Sequence, residues 1–536
     1  MTRFNAKSAA RVGRRGPTSP ITTTGVTGTT HEGAPGHGRD VKSELFLLGV
    51  SAMVAEDAFY EKARERAERF RRLVVEAAAQ DPEWTVAFLT WLRGEGNVRS
   101  APLVAAAELV RARPSGMRTR AVVDAVLQRA DEPAEILAYW LTTYGKPIPI
   151  ALKRGVADAV VRLYTERSLA KYDPVDRAVR MGDVVDLVTP AHHHPEVRGT
   201  WRSSLYRHAL DRRHERGGPV PEDLPLLRAR AELLALPVAE RRAVLLSADG
   251  PARLQAAGIT WEALAGWLQG PMDARAWEAV IPGMGVMALA RNLRNFDEAG
   301  VGDEAAEAVA RRFTDPVTIA RSRMFPFRWF QAYAAAPSAG WGHALETALG
   351  LATQNVPRFP GRTLVLVDTS SSMETRLSGR SQMTHAQAAA LFGVVLTLRG
   401  ADVDLHGFAD GTFPHRVAPG GAVLAEVAAF VRRIGEVGHG TRIAEAVSGT
   451  YRGHDRVVIL SDMQTFHGRR SVTEAAPARI PMYAFNLAGH RHGAIPTGSG
   501  TRHELGGLTD AAFRMIPLLE SARSATWPWL PTTHAP

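Results

Sequence analysis

The chain has 536 residues, 45% hydrophobic and 7% aromatic, with no cysteine and a formal charge of +10. That length exceeds one ordinary core and predicts two or three packed domains. The lack of cysteine excludes a disulfide framework, a thiolate metal site and a cysteine nucleophile, and fits a reducing, cytoplasmic setting. No apolar run is long and charge-free enough to predict a membrane span, and no apolar segment follows the basic start as in a secretory signal. Nearly all positive charge is arginine, the six lysines ending at Lys171. Such a skew marks a GC-rich genome as readily as an acidic partner, so bulk charge does not establish nucleic-acid binding.

Residues 1–40 carry six basic and two acidic groups among Gly, Thr, Ser and Pro, without periodicity. They are expected to form a disordered basic tail. From 41 to 355 apolar residues recur at helical spacing, as in "EKARERAERFRRLVVEAAAQ", "WTVAFLTWLRG" and "EAVIPGMGVMALARNLRNF", with Pro82, Pro114, Pro133, Pro147 and Pro271 in the gaps. Short amphipathic helices over such a length predict an α-solenoid of helix pairs; no sequence repeat is visible, and a plain bundle is the simpler alternative.

After "NVPRFPGR" the pattern changes. "TLVLVD", "ADVDLHGF", "DRVVILSD" and "PMYAFNL" read as strands, separated by the helical patterns "THAQAAALFGVVLTLRG", "AVLAEVAAFVRRIG" and "TRIAEAVSGTY". This alternation predicts an α/β doubly wound domain over 356–522, a mostly parallel sheet with helices on both faces. Residues 523–536, with Trp527 and Trp529, read as an irregular tail or packing strap.

Ligands of such sheets bind beyond the carboxyl ends of the strands. Asp368 and Asp462 each end a predicted strand, Ser370 and Ser372 alternate after Asp368, and Thr441 precedes a predicted helix. A set of carboxylates and hydroxyls without nitrogen or sulfur points to a hard divalent cation, Mg²⁺ first. Two carboxylates leave such an ion incompletely neutralised and open to a further anionic oxygen. One Ser or Asp alone is an ordinary cap or strand end. Together, Asp-x-Ser-x-Ser, Thr and Asp resemble the metal-ion-dependent adhesion site of von Willebrand factor A domains. In "GHGTR", His439 stands where a second Gly is common and Arg442 where an Asp often follows the Thr.

The helical part resembles the TROVE family, and within it the Ro proteins. The resemblance rests on the order of "SELFLLGVSAMVAEDAFYE", "LRGEGNVRSAPLVAAAELV", "ALKRGVADAVVRLYTERSLAKYD", "GMGVMALARNLRNF" and "ARSRMFPFRWFQAY" before an A domain, and covers about residues 42–520. It implies a HEAT-like helical ring closed by the A domain, with a basic inner wall. It also implies small noncoding Y-like RNAs on the outer surface, single-stranded 3′ ends of misfolded RNA in the hole, and an exoribonuclease tethered through RNA. Monomeric protein is expected. On this resemblance Arg99, Lys153, Arg154, Arg291 and Asn292 are candidate RNA contacts. Lys153 and Arg154 open a predicted helix and equally suit a solvated helix start; Asn292 equally suits a bond to an adjacent turn. Met181 and Gly182 stand before Asp183 where a basic residue can occur in Ro-like proteins. His192, His193 and His194 lack a second ligand cluster and read as a polar loop rather than a zinc site.

No Walker A loop or Gly-x-Ser-x-Gly elbow is present, and no motif joins carboxylates into a two-metal nuclease site. A binding protein is therefore expected rather than an enzyme. A metal-dependent protein-binding scaffold is the main alternative, and a Mg²⁺-dependent nuclease the remoter one.

Overall fold

A computed structural model of the chain describes residues 19–51, 57–336, 338–354, 356, 358–377, 383–400, 402–418, 421–498, 500–506, 513, 515–520 and 526–530. The first part of the expected tail, residues 1–18, lies outside that range, as does much of the last segment. Residues 19–40 are not a disordered tail. Strands β1 (Thr23–Thr29) and β2 (Pro35–Arg39) pair as an antiparallel hairpin. The hairpin has little apolar alternation, and its order comes from partners far along the chain. Ser19 and Thr23 donate from their amides to Gly498 and Thr497 at 2.8 and 3.2 Å, and His37 donates to Gly493 at 2.9 Å. The Arg39 guanidinium forms a buried fork on the Glu504 carboxylate, with one bond of 2.6 Å. Glycine permits the close approach: a Cβ on Gly36 would lie 2.8 Å from the Thr29 carbonyl carbon.

Among the described residues, helices joined by short turns make up the chain from Val41 to Ala352. They pack as neighbours, Ala63–Gln80 on Ser100–Ala112, Thr119–Val126 on Ile150–Leu163, Met181–Val188 on Trp201–Arg213, and Asp303–Thr314 on Gly342–Ala352. Thr165 starts Glu166–Tyr172 with a reciprocal cap to Ser168, splitting the pattern read through 155–172 into two helices. The pattern over 278–296 is broken into Ala274–Val280, Val286–Arg291 and Leu293–Ala299, because Pro282 and two nearby glycines interrupt the amide ladder.

Two helical cores result. One gathers apolar residues from Ile21 to Leu227; the other runs from Leu233 into the α/β domain. They meet at Pro225–Leu234, where Arg230 reaches the carbonyls of Ala257 and Gly258.

The α/β domain is a six-stranded sheet of β3 (Arg362–Asp368), β4 (Asp402–Phe408), β5 (Thr412–His415), β6 (Arg456–Ser461), β7 (Met482–Asn486) and β8 (Arg502–Gly506). Its order is β5-β4-β3-β6-β7-β8, parallel except for the edge strand β5. Short β5 and polar β8 were not evident as strands. Alternation along the central strands divides the faces. Val365, Val367, Val458 and Leu460 join the helical core, whereas Leu364, Leu366, Val457 and Ile459 pack with Ile443 and Val447 beneath.

Both ends of the helical run rest on this domain, closing the solenoid into a ring. Val41–Ser51 packs on β8, and Gly342–Ala352 packs on Val423–Val431. Glu346 accepts from the amides of Val423 and Leu424 at 2.5 and 3.0 Å, satisfying a helix start. Arg323 and the Gly94–Asn97 turn exchange hydrogen bonds across the seam at 3.2 and 2.9 Å. Trp527 and Trp529 stack on each other and pack against Phe46 and Trp84, so the described part of the last segment is a strap.

Arg39→Ala should reduce stability by about 3–5 kcal/mol, because it strands the buried Glu504 carboxylate. Urea unfolding checks this; a loss below ~1 kcal/mol would assign hairpin docking to backbone pairing alone.

Candidate metal centre and nucleic-acid surface

The strand order reverses between β3 and β6, where loops leave in opposite directions and open a crevice. Asp368 is the last residue of β3 and Asp462 follows β6 directly. Asp368 is oriented from both sides: its Oδ1 accepts from the Ser370 amide at 2.9 Å and its Oδ2 from the Ser461 hydroxyl at 2.5 Å. The Ser370 and Ser372 hydroxyls lie 3.2 Å apart. The Ser371 amide donates to the His439 carbonyl at 2.9 Å, tying this loop to the one carrying Thr441. Thr441 is fastened in turn to the Asp462 loop, its carbonyl accepting from the Phe466 amide and the Thr465 hydroxyl, both at 2.9 Å. The structure thus brings Asp368, Ser370, Ser372, Thr441 and Asp462 to one place, none more than 5% exposed.

Asp410, unremarked in the sequence, secures the third loop by accepting from the amides of His439 and Gly440, both at 3.0 Å. A Cβ on Gly440 would meet its carboxylate at 2.4 Å, so this glycine is a spatial requirement. Arg442 lies with Nε 3.5 Å from Asp410 and its guanidinium over the Phe466 ring. Its charge is therefore partly answered beside the loop.

The electrostatics fit a cation. Asp462 Oδ2 is buried without a hydrogen-bond partner. The nearest basic atom on it is His490 Nε2, 3.8 Å away, and burial pushes that imidazole down to about 4, so it is neutral. Burial raises the Asp368 carboxyl; burial and the Asp368 charge raise Asp462. Two buried carboxylates with one orphan oxygen are satisfied by a shared proton or by a cation, and with the hydroxyls around them they form a hard-oxygen set that could hold Mg²⁺. Among the described residues no three His, Cys, Asp or Glu side chains converge as a metal cage, so the hydroxyls are essential to this set.

The site has a roof from the other end of the chain. The Thr30 hydroxyl donates to the Thr465 carbonyl, and the His31 amide to Gln464 Oε1, both at 2.8 Å. Gly33 bridges Phe466. The Tyr60 hydroxyl donates to Glu32 at 2.5 Å, and its ring stacks on His31 and meets His490 edge-on. The next residue, Glu61, is held ionised at about 2: burial opposes its charge, but contact with the ring N–H of His490, whose Nδ1 is 3.4 Å away, and the Arg69 and Arg66 charges outweigh it. Arg66 and Arg69 also donate to the carbonyls of Ala488 and Gly489, each at 3.0 Å. Periodicity carries no signal for these contacts, which join remote segments.

The candidate RNA contacts separate into distinct environments. Arg99 is held by Asp131 and Glu135, with its Nε 3.5 Å from Glu132, and serves the seam between helices. Asn292 is not a surface contact: it is 3% exposed, its Nδ2 donates to the Ala288 carbonyl at 2.8 Å, and its Oδ1 accepts from Asn295. Arg291 is exposed at the end of its helix. Lys153 is half-buried and Arg154 exposed, and neither side chain has a hydrogen-bond or ion-pair partner among the described residues.

Arg118 caps and Arg120 opens Thr119–Val126, the helix that packs on the one carrying Lys153 and Arg154. Gly155 allows the two helices to touch, since a Cβ there would lie 2.6 Å from the Arg120 carbonyl. Arg118, Arg120, Ala151 and Asp158 line one shallow pocket between them. Arg120 is neutralised by Asp158, but Arg118 has no such partner among the described residues. The His193 imidazole is lowered by burial and by the adjoining His192, Arg154 and Arg120, a sign of clustered positive charge. The expected polar loop of His192, His193 and His194 is instead the end of a short helix, Pro190–His193, and its cap His194, which lies between Asp158 and Glu196 at 2.7 and 2.9 Å. Gly182 serves packing: a Cβ there would meet the Ala209 carbonyl oxygen at 2.5 Å.

Residues 258–340, within the second helical core, match the TROVE domain. The chain shares its fold with the Ro (RSR) protein of Deinococcus radiodurans, at 21% identity and a TM-score of 0.58 over 90% of this chain and 99% of that one. No curated protein matches the chain.

In chelator, stability should fall as pH rises from the ordinary carboxylate value of 3.8 toward neutrality. The raised carboxyls make the folded state hold more protons than the unfolded one in that window, so deprotonation favours unfolding. Mg²⁺ should cancel much of the loss, and Asp368→Ala should remove the Mg²⁺ response. Thermal melts from pH 5 to 8, with EDTA or Mg²⁺, check the sign.

Proposed function

From this Ro-like fold with its TROVE segment, we propose that the chain is a cytoplasmic RNA-binding protein. It holds structured, Y-like noncoding RNA on the helical surface and accepts single-stranded 3′ ends of misfolded RNA at the ring, in RNA quality control. The observation that carries this reading is that the Arg118, Lys153 and Arg154 side chains lack carboxylate partners among the described residues and stand at the starts of two packed helices, Thr119–Val126 and Ile150–Leu163, with His193 close to Arg154. Cations without local carboxylate partners suit phosphate oxygens, and helix starts add partial positive charge. The arrangement favours backbone contact over reading of base edges, matching a protein that selects RNA by shape and ends. A ring lumen favours one strand over an A-form duplex.

The oxygen site in the α/β domain is assigned to a divalent cation, Mg²⁺ first, separate from the RNA surface. The protein acts by binding rather than catalysis, as a monomer that meets an exoribonuclease through shared RNA.

Gel shifts with a 3′-tailed hairpin and a blunt duplex test the reading. The tailed RNA should bind more tightly. Lys153→Glu with Arg154→Glu should weaken binding and reduce the slope of log affinity against log salt by about 2, one for each lost phosphate contact. Asp368→Ala should leave RNA affinity unchanged. Equal affinity for both RNAs would count against end recognition, and an unchanged salt slope would remove the basic group from the interface.

A further inference from the structure

Glu32 is the only acidic residue between Ser19 and Arg39. It lies at the hairpin turn, whose neighbours are pinned to the loop following Asp462 by Thr30, His31 and Gly33. The Tyr60 hydroxyl holds its carboxylate at 2.5 Å. The ring of Tyr60 packs on His490, whose Nε2 is 3.8 Å from the unpartnered Asp462 Oδ2. An acid is thus presented beside a buried oxygen site that has two carboxylates and an orphan lone pair.

We propose that Glu32 supplies in cis the acidic oxygen that an adhesion-type metal site otherwise takes from a partner, so that a divalent cation latches the N-terminal hairpin to the α/β domain. The proposal rests on reading Asp368, Ser370, Ser372, Thr441 and Asp462 as a divalent site. A cation with two carboxylates and neutral hydroxyls retains affinity for one more anionic oxygen, and the nearby hairpin offers it at high effective concentration. Because Tyr60 and Glu61 lead into Ala63–Gln80, the latch also secures the first helices of the ring. An external acidic protein would have to displace the hairpin to reach the ion.

The test uses the full chain, Mg²⁺ calorimetry and deuterium exchange of residues 19–39. In the wild type, Mg²⁺ should slow hairpin exchange about tenfold relative to EDTA. Glu32→Gln should retain the circular dichroism spectrum, lose that response and bind Mg²⁺ about tenfold more weakly. Tyr60→Phe, which keeps the carboxylate, should retain the response. Hairpin exchange indifferent to Mg²⁺ in a wild type that binds the ion would overturn the latch. So would a Tyr60→Phe variant that behaves like Glu32→Gln, since disturbed packing would then be the cause. A wild type that does not bind Mg²⁺ would instead overturn the reading of the site.

Discussion

A stack of helices has two raw ends, each with an apolar face that water must not reach. Solenoids ordinarily meet this constraint with polar terminal repeats. Here one α/β domain covers both ends. Val41–Ser51 lies on β8, while Gly342–Ala352 lies on the helix Val423–Val431. The second helical core runs without interruption into one face of the sheet. Ring closure therefore follows from burial of apolar surface, while the charged seams set register. Arg39 on Glu504, Arg66 and Arg69 on Glu61, and Glu346 on the Val423 amide all lie where remote segments meet. Buried ion pairs add little net stability, but each is costly to leave half-made, which disfavours a shifted closure.

The same closure shapes the oxygen site. An α/β sheet with this strand order opens a crevice between β3 and β6 whatever else the chain does. What is particular here is its surroundings. The hairpin and Tyr60 cover the crevice, His490 is neutral within it, and Asp410 braces the Thr441 loop from outside. The covering elements belong to the beginning of the ring, so the crevice and the seam share the same contacts. The basic residues Lys153 and Arg154 lie farther along the first helical core, on Ile150–Leu163.

Local chemistry made the clustered carboxylates and hydroxyls easier to read than the exposed basic groups. Asp368, Ser370 and Ser372 are spaced by the alternation of one loop, and a strand end locates Asp462. Basic residues on helices lack such grammar. Arg99 and Arg154 look alike in sequence, yet Arg99 faces carboxylates from a helix beginning at Glu132, whereas Arg154 faces solvent. Asn292 sits in the same stretch as exposed Arg291 but points its amide back into its own turn. A difference of one residue on a helix rotates a side chain by about 100°, enough to exchange surface for core.

By itself, the sequence determined what depends on neighbours along the chain: the helical run, the change to alternating strands and helices after 360, the main strands, and the hard-oxygen character of the site. Each follows from apolar period or from spacing within one loop. Tertiary structure decided what depends on distant partners. It ordered a Gly- and Thr-rich segment that periodicity reads as disordered, because backbone groups of 465 and 493–498 pair with it. It placed Glu32 and Tyr60 over the loop after Asp462, about four hundred residues along the chain, and it separated the cations without partners among the described residues from the paired ones. Hydrogen bonds and ion pairs between remote segments leave no period in a sequence, since their geometry exists only after the cores have packed.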